Sequence, residues 1–543
     1  MNTKMNYIRN QLNSLEVDGY IVPNNDEYCN EYLPDSAKRL EYITNFTGSA
    51  GTLLITKNEL HFFTDGRYTT QSQQQLTDDC TIHNIADTKL ADYIKNKTIA
   101  VDPWLHSCAQ IQELKEICTI KFTDNLVDKI WGDKRPAPPA SKAYIYDIKY
   151  AGKSATDKIN ELDFNTDYLF LNTADSINWL LNIRGSDIIY TPFCLCFLVV
   201  DNSKHCHLFI NKNKLDTPTK NYLKQFCTLY NEDELLDFIT QHKTDKWQLD
   251  KSTTPVAIAD KLKNVMYADD PTQLPKSIKN STEIKWIKQH HITDGKAVTK
   301  FINWVKQQAQ TTELDAQNKL LEFRKESPDF IYPSFGTICG FNANGAIIHY
   351  QANANTNKNV TSNGLLLVDS GGQYMGCTTD ITRTIAIGSP TKDMINDYTL
   401  VLKGHIAVAT AKFKQGTTGA QIDKLARQYL LAEGKDYDHG TGHGVGAFLS
   451  VHEGPCGISK RSTKVALQAG MLLSNEPGYY KPGKYGIRIE SLVLVIQNTS
   501  NPKWLEFETI TKAPLEKDLI DYKMLSSDEI EWLDEYTKST NLP

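Results

Sequence analysis

The chain has 543 residues, 40% of them hydrophobic and 23% charged, with a formal net charge of −6 at neutral pH. That length exceeds one hydrophobic core and implies roughly two to four domains of an ordinary globular protein. The small net charge gives no electrostatic case for nucleic acid or a membrane surface as partner. The longest apolar run, Cys194 to Val200, falls far short of the ~20 residues a membrane span requires. The first ten residues lack the apolar core of a secretion signal. Eleven scattered cysteines with no Cys-x-x-Cys pair read as reduced thiols, and both observations point to the cytoplasm.

In chain order, a short amphipathic helix over residues 7–15 leads into a strand opened by Asp18-Gly-Tyr-Ile-Val-Pro. Residues 46–68 read as a hairpin turning at Lys57 and Asn58. Arg67 stands just beyond it, either tying down its own loop or reaching a catalytic site. Pro136, Pro138 and Pro139 make residues 125–140 an extended, semi-rigid linker. The next stretch repeats the first in outline: residues 177–185 precede strands over 193–200 and 207–210, as residues 42–48 precede the first hairpin. This is a degenerate duplication. The second copy has no carboxylate or histidine cluster, so its role is structural or associative. Beyond Pro275, Asn280 caps a helix with Glu283 in capping-box position. Ile284, Ile287, His291, Val298, Phe301 and Val305 then recur at helical spacing, and His291 on that stripe reads as a core histidine. The expected division is 1–130, 141–272 and 276–543, ending in an acidic helix around residues 529–536.

Two acidic hairpins dominate the last domain. In the first, Leu365 to Val368 is an apolar run suited to a strand buried on both faces, and it ends in Asp369. Folding the Gly-rich connection about its midpoint places Asp369 and Asp380 opposite each other, about 5 Å apart. In the second, apolar strands flank a Pro-Gly turn centred on Gly483, which brings Glu476 and Glu490 face to face. Like charges so placed are destabilising unless a cation lies between them. Between the hairpins, His439-Gly-Thr-Gly-His443-Gly-Val-Gly446 puts glycine on both sides of His443 and argues against a helical two-histidine zinc motif. Four carboxylates and an imidazole suit a pair of divalent ions such as Mn²⁺, Zn²⁺ or Co²⁺. Cys377, inside the first hairpin, reads as packing.

In order and flanking residues, Asp369, Asp380, His443, Glu476 and Glu490 resemble the five-ligand set of the pita-bread metallopeptidases. Ala346-Ile-Ile-His349-Tyr, the stretch from His439 to Gly446, Val451-His452-Glu-Gly-Pro and Asn475-Glu476-Pro-Gly-Tyr-Tyr resemble the Xaa-Pro aminopeptidases, also called aminopeptidase P. The likeness is greatest to the three-domain cytosolic type and covers nearly the whole chain. It implies an α/β (α+β) architecture, with two related creatinase-like N-terminal domains followed by a C-terminal pita-bread catalytic domain.

The resemblance implies that Asp369 binds one metal, that His443 and Glu476 bind the other, and that Asp380 and Glu490 bridge the two. Manganese is the expected metal. Two such ions ~3.5–4 Å apart lower the pKa of a bridging water towards ~7, supplying a hydroxide nucleophile. Glu476 is then the proton shuttle. His349, His439 and His452 match the family's substrate-binding histidines, which contact the peptide carbonyl and its developing charge; for His439 a supporting structural role is the alternative. Arg488 orients a carboxylate ligand or substrate. Tyr480 lines the site or is merely packed, and with Phe335 offers an apolar wall for a proline ring. The expected substrates are peptides with proline second, and the expected assembly is a homodimer. A prolidase-like dipeptidase and a metal-free binding module are the rivals, the second disfavoured by five intact ligands. Methionyl aminopeptidases lack two preceding domains, and a creatinase-like amidinohydrolase lacks the ligands.

Overall fold

The computed structural model describes residues 2–361, 363–461 and 464–541, and the elements below are those of the described residues. The chain separates into unit 1, residues 1–148 with 153–272, and unit 2, residues 149–152 with 273–543.

Unit 1 carries two six-stranded sheets of one design. After helix α1 (Asn2–Ser14) come β1 (Gly19–Pro23), β2 (Thr52–Thr56), β3 (Leu60–Thr64), β4 (Cys80–Asn84), β5 (Thr98–Val101) and β6 (Thr119–Phe122), in spatial order β4-β3-β2-β1-β5-β6. The second sheet uses β7 (Tyr168–Leu171), β8 (Phe197–Asp201), β9 (Cys206–Phe209), β10 (Cys227–Tyr230), β11 (Trp247–Leu249) and β12 (Val265–Tyr267), in the order β10-β9-β8-β7-β11-β12. In each, the first strand pairs antiparallel on one side and parallel on the other: β1 with β2 and β5, β7 with β8 and β11. The duplication expected from the sequence is present as a repeated topology. Arg67 makes a bidentate pair with Asp65, Nε at 2.9 Å and NH2 at 2.8 Å, which ties down its own loop.

One stretch departs from expectation. The apolar run 193–200 enters the sheet only at Phe197, and residues 193–196 are buried coil. At Cys194 and Leu195, side chains rather than a neighbouring strand satisfy the backbone. Asn178 exchanges hydrogen bonds with Cys194, Nδ2 to O at 2.9 Å and N to Oδ1 at 3.0 Å. Asp187 Oδ2 accepts from Leu195 N at 2.8 Å, and Lys214 Nζ donates to Leu195 O at 2.9 Å and to Asp187 Oδ2 at 2.7 Å.

Unit 2 opens with helix α2 (Ser281–Lys306), capped as expected: Asn280 Oδ1 accepts from Glu283 N at 3.1 Å, and Glu283 Oε2 from Asn280 N at 2.9 Å. His291 is buried in its apolar face, its Nδ1 2.8 Å from Ile287 O. Val298, Phe301 and Val305 pack with Leu320 of α3 (Glu313–Lys325) onto a three-stranded sheet. That sheet is β13 (Ile338–Phe341), β14 (Gly364–Ser370) and, after a hairpin tip of β15 (Gly372–Tyr374) and β16 (Cys377–Thr378), β17 (Ile381–Ile387). Helices α4 (Lys392–Ala409) and α5 (Gly419–Ala432) follow. The second sheet consists of β18 (Lys412–Lys414), β19 (Gly442–Gly444), β20 (Glu453–Ile458), β21 (Leu472–Asn475), β24 (Ser491–Gln497) and β25 (Trp504–Thr509). Hairpin β22 (Gly478–Lys481) and β23 (Tyr485–Arg488) projects between β21 and β24. Ile422 and Ala426 of α5 pack on Leu473, Val493 and Val495, each fully buried aliphatic chain contributing about 1.5–3 kcal/mol. Helix α6 (Ser527–Thr540) closes the unit.

The Lys214–Asp187 pair sets a test of unit 1. Its side chains are 2% and 0% exposed, so removing one charge strands the other. Lys214→Met should lower the stability of unit 1 by about 3–5 kcal/mol, read as an earlier urea transition. An unchanged midpoint would contradict the assignment of this pair as the support of residues 193–196.

Candidate active site

The first acidic hairpin is in register along its whole length, but not about the midpoint expected. Asp369 pairs with Thr382 and Tyr374 with Cys377, so the chain turns at Met375–Gly376, where Gly376 takes φ = +90°. A side chain there is disfavoured sterically, and the turn forms where glycine permits it. Asp369 and Asp380 are therefore diagonal neighbours, two residues out of direct opposition, a shift that keeps both on one face. The second hairpin runs as the sequence implies: Gly478 pairs with Arg488 and Asn475 with Ser491, leaving Glu476 and Glu490 level with each other between those pairs.

The two hairpins and the glycine loop converge. One ligand atom each from Asp380, His443 and Glu490 lies within 4.8 Å of the others. His443 Nε2 stands 3.4 Å from Asp380 Oδ2 and 3.3 Å from Glu476 Oε1. Strand β19 carries His443 between glycines with good reason, since a Cβ on Gly442 would lie 1.9 Å from Ser474 O. Ser474 Oγ in turn accepts from His443 N at 2.9 Å and donates to Glu476 Oε1 at 2.9 Å. Arg488 donates from NH2 to Asp369 Oδ2 at 2.7 Å, from Nε to Thr382 Oγ1 at 3.1 Å and from NH1 to Tyr480 Oη at 2.6 Å. Thr382 Oγ1 donates to Glu490 Oε2 at 2.7 Å. Tyr480 Oη also lies 2.8 Å from His439 Nε2. The His452 ring meets His443 edge to face, centroids 4.3 Å apart. His349 lies in the turn between Ile347 and Tyr350, two residues that pack in one apolar cluster with Tyr480. Phe335 is buried.

Burial pushes Asp369 up to about 7, against the pull of Arg488 and with help from the negative charges of Asp380 and Glu476. Burial and the same neighbours hold Glu490 well above the carboxylate range. For His443 burial works downwards, but Asp380 and Glu476 overcome it and hold the imidazole at about 9. Asp369 Oδ1 is buried and has no hydrogen-bond partner among the described residues. An unsatisfied acceptor beside converging oxygen and nitrogen donors fits a divalent cation, and this set of carboxylates with one imidazole suits hard or borderline ions.

Several supporting residues belong to no motif of the sequence. Arg383 donates to Ala513 O at 2.8 Å, Pro514 O at 2.9 Å and Tyr536 Oη at 2.7 Å, and also to Glu490 O, so the C-terminal region braces the backbone of a site residue. An arginine at the same period-2 positions as Ile381, Ile385 and Ile387 of a buried strand is the one signal of it. Glu453, next to His452, is buried between Lys276, 3.3 Å away, and Lys279. Cys377 is fully buried and its thiol held well above its usual range by burial, which matches packing.

The metallopeptidase family M24 model matches residues 285–497, and the C-terminal region of peptidase M24 matches 503–541. The creatinase/prolidase N-terminal domain matches twice, over 4–130 and 134–283. The chain belongs to metallopeptidase family M24. Its relatives include Xaa-Pro aminopeptidase 1 of Dictyostelium discoideum, 36% identical over 98% of this chain and 92% of that one, and aminopeptidase P2 of Arabidopsis thaliana, 36% identical over 96% and 82%. The X-prolyl aminopeptidase of Caenorhabditis elegans, described as a cytosolic enzyme with a di-nuclear active site, superimposes with a TM-score of 0.94 at 30% identity, covering 99% of this chain and 95% of that one. Prolidase from Pyrococcus furiosus shares the fold at 23% identity and a TM-score of 0.52, covering 64% of this chain and 96% of that one.

A proton count tests the electrostatics. Below an unfolded pKa near 4, raising Asp369 to about 7 contributes its full stability, and that contribution is lost as pH rises through 7. Ligation needs the ionised carboxylate and neutral imidazole, so metal added to chelator-treated protein at pH about 6 should release at least about one proton per chain. The heat of binding measured in buffers of different ionisation enthalpy reads this directly. Uptake without proton release would overturn the assignment of Asp369 and His443 as protonated partners.

Proposed function

We infer that this chain is a metal-dependent Xaa-Pro aminopeptidase, releasing the amino-terminal residue from peptides whose second residue is proline. The observation that carries this is the meeting of two acidic hairpins and a glycine-flanked histidine at one buried point, in a chain 36% identical to Xaa-Pro aminopeptidases along almost its full length.

Asp369, Asp380, His443, Glu476 and Glu490 are the residues that would hold two divalent ions, with Mn²⁺ as the proposed metal. Such ions, when bound, polarise the scissile carbonyl and acidify water. The chain's own groups do the rest. Glu476, the most exposed of the paired carboxylates at 16% of its side chain, takes the proton from the attacking water and delivers it to the departing prolyl nitrogen. His452 and His349 hold the peptide carbonyl as charge develops on it. His439, tied through Tyr480 to Arg488, holds the substrate while Arg488 aims Asp369 and opposes the effect of burial on it. The Xaa-Pro bond is a tertiary amide with no N–H, so selection rests on shape, and Tyr480 with Phe335 form the apolar wall for the ring.

We further propose the division 1–130, 141–272 and 276–543, a cytoplasmic location and a homodimer. Light scattering at micromolar protein should give roughly twice the 61.4 kDa chain mass; a monomer alone would refute the dimer.

The substrate rule is tested by comparing kcat/KM for Arg-Pro-Pro with that for Arg-Ala-Ala. The proline peptide should be favoured by at least about 100-fold. Equal cleavage of both would defeat the assignment, and cleavage of Xaa-Pro dipeptides alone would make the chain a dipeptidase.

A further inference from the structure

Glu313, the first residue of α3, is completely buried, and among the described residues it forms no ion pair. Its carboxylate is satisfied by neutral donors only. Oε1 accepts from Phe341 N at 2.7 Å and Asn344 Nδ2 at 3.0 Å; Oε2 accepts from Tyr350 Oη at 2.8 Å, Lys358 N at 2.9 Å and Asn344 Nδ2 at 3.0 Å. These donors come from both arms of the connection between β13 and β14. One carboxylate therefore ties together both arms of this loop.

Both ends of the short turn that carries His349 are gripped, Asn344 on one side and Tyr350 on the other. The same turn rests on the hairpin β22–β23. Gly345 O lies 1.8 Å from where a Cβ on Gly486 would be, so backbone meets backbone there. Gly486 pairs across the hairpin with Tyr480. Tyr480 packs in the cluster that holds Tyr350 and Ile347, and its hydroxyl meets His439 and Arg488. From Glu313 a chain of contacts leads to the acidic centre, through Tyr350, the apolar cluster of Ile338, Tyr350 and Leu367 on which Tyr480 packs, and Arg488 to Asp369.

We propose that Glu313 is a positioning residue for substrate capture: by gripping Asn344 and Tyr350 it sets the turn between them, and so His349, at a fixed place on the hairpin that carries Tyr480 and Arg488. The proposal rests on the substrate-binding role given to His349 above. A buried, uncompensated charge is costly, and here it draws five hydrogen-bond contacts that neutral acceptors would hold more weakly. A glutamine at this position keeps the volume, loses the charge and turns an N–H₂ group towards donors.

The test is a double-mutant cycle on an Xaa-Pro tripeptide, with metal content and melting temperature measured alongside. Glu313→Gln should raise KM about tenfold, with metal content unchanged. In a His349→Ala background the same substitution should change kcat/KM by less than about twofold, because the group it positions is gone. An equal loss in both backgrounds would overturn the proposal and leave Glu313 a structural residue. If His349→Ala alone is silent, the role of His349 falls and the proposal with it; if the native protein ignores Xaa-Pro peptides, the functional reading falls first. Should Glu313→Gln fail to fold, Tyr350→Phe removes one donor while keeping the charge. Its loss should then vanish in the His349→Ala background, and a loss that persists there would overturn the proposal in the same way.

Discussion

Bringing four carboxylates together inside a protein is costly. Each loses water, and each raises the others' affinity for protons. The consequences run outward through unit 2. Asp369 is held by Arg488, Glu490 by the Thr382 hydroxyl, and the backbone at Glu490 by Arg383, which is itself braced by the C-terminal residues Ala513, Pro514 and Tyr536. The strands that deliver these acids are apolar and buried, and so stiff enough to hold like charges at short range. Cations complete the balance, and the unsatisfied Asp369 Oδ1 marks where the protein alone does not suffice.

Much of this is legible in residue order. The apolar run ending in Asp369, the Pro-Gly turn at Gly483 and the glycines around His443 each constrain backbone as well as chemistry. The register of the second hairpin follows from its turn. The first does not, because symmetry points to one turn whereas the chain reverses at the glycine that tolerates a positive φ. The strand expected from residue 193 fails for a related reason: apolar character reports burial, and side-chain amides and carboxylates take over the hydrogen bonding that would define a strand. Glu313 is invisible in the sequence and Arg383 shows only as a charge inside an otherwise apolar and threonine-rich strand, because a single charged residue has no period and its partners lie in other elements.

The repeated sheets of unit 1 differ in what they bury. The second copy keeps the topology while enclosing the Lys214–Asp187 pair and the coil it supports. A shared strand order therefore survived large changes in interior chemistry, as expected where pairing geometry rather than specific side chains defines the fold.

The lysines beside Glu453 bear on how such proteins are assembled in evolution. Lys276 and Lys279 lie ahead of residue 285, where the metallopeptidase match begins, within the stretch matched by the creatinase-type domain. Yet they neutralise an acid adjoining His452, deep in the catalytic unit. The boundary of sequence kinship and the boundary of physical self-sufficiency do not coincide. Any recombination that brought a new amino-terminal half to this catalytic half had to carry these few residues across with it, or leave a buried acid unanswered beside His452.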